Sequence, residues 1–359
     1  MSTVPLRVGV VGCGIIARNY VTGSAAFDTF HVVACADLDR AAADAFGQEH
    51  GLEVLPLDEL IGDGQVDAVL NLTPPTAHAE VVRAALGAGK HVYTEKPLAT
   101  SLTAAADLVA DAGRRGLRLG CAPDTFLGGA YEAARAVIDR GDIGEPLGAT
   151  ARLLVGGADS WHPNADIFFA AGGGPMLDLA PYYLAAVASL LGPYAAATGF
   201  TTTVTRERTY AVGPRAGKRF PVDVPTHVAG LLQLRSGGIL SLTVSFEARA
   251  QYDSTLLVHG SEGALELPDA NAFEGPVRIR RERGDWMDLH YVSQGDRETR
   301  GIGLDDMVES LRTGRPHRAS GELGLHVLES ALAVLQSAED GRTITIASPV
   351  AELPATEPR

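Results

Sequence analysis

The sequence predicts an α/β protein in two parts: a doubly wound parallel sheet first, then an α+β domain with a large, open, mostly antiparallel sheet. Three observations carry this. Short apolar runs alternate with helix-length stretches over the first third of the chain. The first of these runs ends in a glycine turn, Gly12-Cys13-Gly14-Ile15-Ile16-Ala17. Beyond residue 197 the period changes to two, as Leu240, Leu242, Val244 and Phe246 alternate with Ser241, Thr243, Ser245 and Glu247. At 359 residues there is length for two domains, expected over 1–122 and 123–347, with the last helix returning to the first domain. Residues 348–359 carry three prolines and read as a loose tail.

Leu6 to Val11 is of strand length, and a helix is expected after the turn to about Ala26. The next apolar run, His31 to Ala36, ends in Asp37, roughly twenty residues past the turn. Strand, glycine turn, helix, strand and acid is the order that binds a dinucleotide. Gly12 permits the tight turn, Gly14 lets the backbone approach a pyrophosphate on the helix N-terminus, and Ala17 lets helix and strand lie close. Ile15 and Ile16 of the same turn complete that part of the cofactor set. Asp37 would accept from both adenosine ribose hydroxyls and repel a 2′-phosphate, so NAD is expected over NADP; Arg40 close by softens that preference.

The alternation continues. Arg40 to His50 and Leu57 to Ile61 read as helices, and Ala68 to Leu72 as a strand running into Thr73-Pro74-Pro75-Thr76-Ala77-His78. Thr76 is expected to cap the helix that follows, to about Gly89. His91 to Thr94 is a strand, followed by Glu95-Lys96-Pro97; Ser101 opens a helix to Gly116, and Leu117 to Cys121 is the next strand. Ligands of such sheets bind at the carboxyl ends of the strands. Thr73, Pro74, His78, Glu95 and Lys96 are therefore expected on the cofactor's edge. Lys96 is one of three lysines, with Lys90 and Lys218. An ammonium on a flexible stem at a strand end holds a substrate hydroxyl and moves protons.

In the second part, Leu127 to Arg140 reads as a helix and Leu147 to Val155 as a strand. The loop Gly156 to Gly174 holds Trp161-His162-Pro163-Asn164, and loops of such length are functional or disordered. Pro175 suits the first turn of a helix bearing Asp178 and Tyr182 at i and i+4, on one face. Turns are expected at Ser236-Gly237-Gly238 and Gly260-Ser261-Glu262-Gly263, helices over Gly301–Arg312 and Gly321–Ala338, and a closing strand over Thr343–Ile346. Helices are too few to cover both faces of such a sheet, so a homo-oligomer packing sheet on sheet is expected.

The net charge of −14 argues against nucleic acid and suits a neutral small molecule. Cys13, Cys35 and Cys121 lie far apart without metal-ligand spacing, which points to reduced thiols in the cytoplasm and no metal site. No signal-peptide core opens the chain, and the most apolar stretch, Leu184 to Leu191, is too short to span a bilayer.

Over most of its length the chain resembles the Gfo/Idh/MocA oxidoreductases, the glucose–fructose oxidoreductase and inositol dehydrogenase group. The resemblance rests on Gly12-Cys13-Gly14-Ile15-Ile16-Ala17, Thr73-Pro74-Pro75 with His78, Glu95-Lys96-Pro97, and Gly173-Gly174-Pro175-Met176-Leu177-Asp178. It implies a Rossmann domain and an open-sheet domain that mediates homodimers or homotetramers, with Lys96 beside substrate and nicotinamide and Asp178 in the catalytic set. Where the family usually has a His four residues after that Asp, this chain has Tyr182. A phenol, with an ordinary pKa of about 10, becomes a usable acid–base group beside an ammonium, so either Tyr182 or Lys96 takes the proton. Cys121-Ala122-Pro123-Asp124-Thr125-Phe126 also departs from the family pattern; Asp124 binds a substrate hydroxyl or caps a turn.

The expected activity is hydride transfer between nicotinamide and a CH–OH carbon of a sugar, cyclitol or sugar derivative. Trp161 would offer an aromatic face to the ring, and His162 and Asn164 polar groups to its hydroxyls. The alternatives are an enzyme that holds and internally recycles its NAD, for epimerisation, elimination or glycoside cleavage; a noncatalytic NAD-sensing regulator; and a dihydrodiol or imine reductase.

Overall fold

The computed structural model describes residues 4–250 and 252–350. The chain divides into two compact units: one runs to Leu127 and takes in Gln294–Leu325, the other holds Gly128–Ser293 and the chain from His326 on.

The first unit is built on a six-stranded parallel sheet. In chain order its elements are β1 (Leu6–Val11), α1 (Ile15–Ser24), β2 (Phe30–Ala36), α2 (Arg40–His50), β3 (Glu53–Val54), α3 (Leu57–Gly62), β4 (Ala68–Asn71), α4 (Pro75–Gly87), β5 (His91–Thr94), α5 (Leu102–Arg115) and β6 (Leu119–Cys121). The strand order is β3-β2-β1-β4-β5-β6, every pair parallel. Order reverses between β1 and β4, the switch point at which such sheets bind ligands. The strands read as continuous apolar runs because helices cover both faces; Val8, Val10, Ala68, Val69 and Val92 have no exposed surface. Asp39 caps α2 through its carboxylate and Ser101 caps α5, while Gly51 and Gly116 close the same helices in the left-handed region. Thr76 is not a cap: Pro74 takes the N-cap position and Pro75 the first turn, where a missing N–H costs nothing.

The second unit carries α6 (Gly129–Asp139), β7 (Pro146–Leu154), α7 (Pro175–Asp178), α8 (Ala180–Leu191), β8 (Tyr194–Thr202), β9 (Glu207–Thr209), β10 (Arg219–Pro221), β11 (His227–Leu234), β12 (Ile239–Ser245), β13 (Asp253–Gly260), β14 (Gly263–Leu267), β15 (Arg278–Arg281) and β16 (Met287–Asp288). After α9 (Ile302–Thr313), which belongs to the first unit, come α10 (Gly321–Asp340) and β17 (Ile344–Thr345). The main sheet has nine strands, β16-β15-β14-β13-β7-β12-β11-β8-β17, antiparallel except for β7 beside β12; β9 and β10 form a separate ribbon. One face is buried through Ala149, Ala151, Leu153, Val228, Leu232, Leu240, Leu242, Leu256 and Val258. The alternate residues expose Phe200, Leu231 and Ile239, so helices do cover a single face.

Ser348, where the loose tail was expected to begin, is anchored. Its N–H reaches Glu329 Oε2 (2.7 Å), its Oγ lies 2.8 Å from His326 Nδ1, and its carbonyl accepts from Arg235 (2.8 Å). Residues from 351 on lie outside the described part. All three cysteines are buried and unbridged. Among the described residues no helix is long and apolar enough to cross a membrane, and no cluster of His, Cys, Asp and Glu is arranged to hold a metal.

Candidate functional site

The glycine turn follows β1 at the switch point. Gly12 sits at φ +97°, and a Cβ there would lie 2.7 Å from the Leu72 carbonyl, so glycine is required where β1 and β4 emerge side by side. A Cβ on Gly14 would meet nothing within 4 Å: open space lies in front of the turn. Helix α1 begins there with no side-chain cap and no acid in its first turn, leaving its N-terminal amides for an anion. Ala17 is fully buried, as close helix packing demands, while Ile15 is 60% exposed at the rim. Asp37, at the end of β2, accepts the Cys13 N–H (2.8 Å) and the Asp39 N–H (2.8 Å), so it buttresses the turn as well as standing beside it. Arg40 is exposed and paired with Asp44 at 2.8 Å. This donor set fits a dinucleotide.

Thr73 and Glu95-Lys96-Pro97 follow β4 and β5, the next two strands beyond β1, on the same carboxyl edge. Asn71 steadies the first of these turns, accepting from the Thr73 hydroxyl at 2.7 Å. Pro74 is exposed at the head of α4. The Glu95 carboxylate takes the Tyr20 hydroxyl on Oε1 (2.9 Å) and the Lys96 N–H on Oε2 (3.0 Å), tying α1 to the lysine's backbone. Two of the expected site residues are buried. His78 was placed against the cofactor, yet it has no exposed surface; its ring nitrogens lie 2.6 Å from the Pro97 carbonyl and 2.8 Å from the Thr73 carbonyl. It joins the two turns from beneath, and burial pushes its pKa down. Asp124 is likewise fully buried, accepting from the Gly303 N–H (3.1 Å) and Arg300 (3.3 Å). Burial raises its pKa, with Arg300 opposing. These two partners lie 179 and 176 residues further along the chain.

In the second unit, the loop after β7 contains two short turns, Ala158–Ser160 and Ala165–Phe168. Trp161 is 60% exposed, with its ring edge-on to His162 (5.3 Å between centroids) and tilted on Phe168 (6.1 Å). His162 Nδ1 accepts the Asn164 N–H (3.0 Å), so a neutral ring presents Nε2–H; burial lowers its pKa and favours that neutral form. The Asn164 side-chain oxygen is taken by Arg215 (3.0 Å), which makes this residue part of the loop's bracing. Asp178 and Tyr182, both half-buried, do not share one uninterrupted helix. α7 ends at Asp178 and α8 restarts at Ala180, because Pro181 lacks an N–H and its ring crowds the carbonyl four residues back. Tyr183 faces the core instead, bonded to Ser254 (2.8 Å) and Asp269 (3.1 Å), and burial raises its pKa. Sequence reasoning missed Tyr20, Arg208 and Arg215; their hydrogen-bond partners lie 38 to 75 residues away, and no local pattern announces them.

Comparison with known proteins agrees with this geometry. Residues 6–122 match an oxidoreductase family with an NAD-binding Rossmann fold, and residues 131–266 match the GFO/IDH/MocA C-terminal domain. The chain is 29% identical over 347 residues to a 1,5-anhydro-D-fructose reductase of Ensifer adhaerens, covering 95% of this chain and 98% of the relative. It is 28% identical over 349 residues to an inositol 2-dehydrogenase of Rhizobium meliloti, covering 95% and 99%. A levoglucosan dehydrogenase structure in complex with NADH shares the fold, with a TM-score of 0.85 at 21% identity over 96% of this chain and all of that one.

Proposed function

The chain belongs to the Gfo/Idh/MocA oxidoreductase family, and from that premise we propose which residues do its chemistry and on what. It is an NAD(P)-dependent oxidoreductase of sugar-type alcohols. The observation that carries the reading is the placing of Lys96 on the same carboxyl edge as an open, uncapped glycine turn backed by Asp37. NAD is the proposed cofactor over NADP, since Asp37 stands at the ribose end and Arg40 is occupied by Asp44. The amides of Gly14, Ile15 and Ile16 would hold the pyrophosphate, and Thr73 and Pro74 would flank the nicotinamide half. When bound, the cofactor supplies a ring carbon that accepts or donates a hydride.

Lys96 holds the reacting hydroxyl oxygen through its ammonium, with Glu95 fixing its backbone. The hydroxyl proton would pass to Tyr182 as its phenolate, or to Lys96 where it stands as the neutral amine instead of the ammonium, and Asp178 would orient them or bind a neighbouring hydroxyl. Trp161 and His162 give the substrate an apolar face and an N–H donor. The substrate is a small polyhydroxylated molecule, and the three unbridged thiols suit a reducing, cytoplasmic setting.

The test is absorbance at 340 nm with NAD or NADP against a panel of sugars, inositols and anhydrosugars. Reduction of NAD by one polyol class, reduced at least ~100-fold in Lys96→Ala, is the expected result. Silence across the panel, with nicotinamide released on denaturation, would replace it with an internally recycled cofactor. Full activity in Lys96→Ala would remove the lysine's role.

A further inference from the structure

We propose that Arg208, with the β9–β10 ribbon it belongs to, is a positioning device that fixes the 156–174 loop and thereby sets substrate selectivity. This rests on the reading above that Trp161 and His162 meet the substrate.

The guanidinium of Arg208 is wholly buried. Its Nη1 donates to the Gly156 carbonyl (2.8 Å) and Asp159 Oδ1 (2.8 Å); its Nη2 donates to the Phe246 carbonyl (2.8 Å) and Glu247 Oε2 (2.9 Å). Its flat face lies 4.7 Å from the centre of the Phe169 ring. Gly156 and Asp159 belong to the limb that enters the loop and Phe169 to the limb that leaves it, so one planar group holds both against the end of β12. Its Nε–H is buried and has no partner among the described residues, so the group's position is set by those two limbs and the strand end. A buried charge network is a costly way to fill a core, and well-packed apolar residues would stabilise the fold as well or better. What a forked, planar donor adds is a fixed geometry.

The ribbon's tip grips the middle of the loop independently. Ala211 N–H donates to the Asp159 carbonyl (2.9 Å). Arg215 makes two bonds to Asp166 (2.7 and 3.1 Å) and one to Asn164 (3.0 Å), and lies 4.2 Å over the Tyr210 ring. Gly213, at φ +80°, lets the backbone lie against Pro163; a Cβ would come within 2.7 Å of that ring. Between the held ends and the held middle, Trp161 is left turned outward. A loop held this way meets its ligand without first being ordered, which lowers KM rather than raising kcat.

The experiment compares Arg208→Met, Arg215→Ala and Trp161→Ala with the wild type, using the polyol identified in the 340 nm screen. It reads kcat, KM for polyol, the ratio of kcat/KM between two polyols, NAD affinity by fluorescence titration, and the unfolding midpoint. Arg215→Ala removes a partly exposed brace, and its unfolding midpoint shows whether the fold is kept. It is expected to raise KM for the polyol about tenfold, with kcat within twofold, NAD affinity unchanged and the polyol ratio compressed. Arg208→Met, where it folds, is expected to do the same more strongly. If Trp161→Ala raises KM but folded Arg215→Ala leaves KM and the polyol ratio alone, the positioning role is wrong. If Trp161→Ala itself leaves KM unchanged, the assignment of the loop to the substrate fails first.

Discussion

Tyr20 links α1, through the Glu95 carboxylate, to the backbone of Lys96. It is fully buried on α1, its hydroxyl is bound to Glu95, and burial together with that carboxylate keeps its pKa high, so it serves as a donor. Tyr20→Phe takes away that donor and leaves the carboxylate holding Lys96 from one side only. A cost of about 1–3 kcal/mol is expected for a buried bond to a charged group. Thermal unfolding should register the loss, and kcat/KM for the polyol should fall about tenfold. A variant that matches the wild type in both would show that the Lys96 backbone is held without it. That Asp37 and Lys96 stand just beyond strand ends could be read from the sequence, because each follows its own strand closely. Asp124 could not, since Gly303 and Arg300 meet it from 179 and 176 residues away.

At the scale of elements, α10 illustrates a dependence on pH. His326 in that helix accepts the Tyr194 N–H at 2.9 Å, stacks on the Tyr194 ring and faces Ser348, with Arg235 and Glu329 the charged groups near it. Burial, aided by the Arg235 charge, lowers its pKa to about 4. The unfolded chain takes up this proton near pH 6.5 while the folded chain resists until about 4. The neutral ring's contribution is therefore complete above pH 6.5 and is lost as pH falls through that window, levelling off near 3 kcal/mol, on the order set by the shift. Urea midpoints taken between pH 7.5 and 4.5 should fall for the wild type and stay flatter for His326→Gln; parallel curves would rule this out. Helices with a local cap, such as α2 and α5, were legible in advance. The α7–α8 break was not, because a 3.6-residue period hides a proline that acts on the turn before it. The β9–β10 ribbon, three residues a side, gives no pattern long enough to read.

At the scale of the molecule, the nine-stranded sheet leaves Phe200 82% exposed, with Leu231 and Ile239 beside it on the same face. A second copy of the chain packed on that face would bury these side chains. Light scattering is expected to give a dimer or tetramer, and Phe200→Asp with Leu231→Asp to shift the mass toward a monomer; a wild-type monomer at micromolar concentration would end the idea. Both sheets were legible as classes from period alone, whereas strand order inside the larger one was not, since β7 pairs with β12 and β13 across roughly ninety to a hundred intervening residues. The first unit is itself discontinuous, completed by Gln294–Leu325. During synthesis its N-terminal stretch leaves the ribosome long before the amide of Gly303 and the guanidinium of Arg300 that Asp124 requires. Until then that carboxylate lacks both of the partners it has in the folded unit.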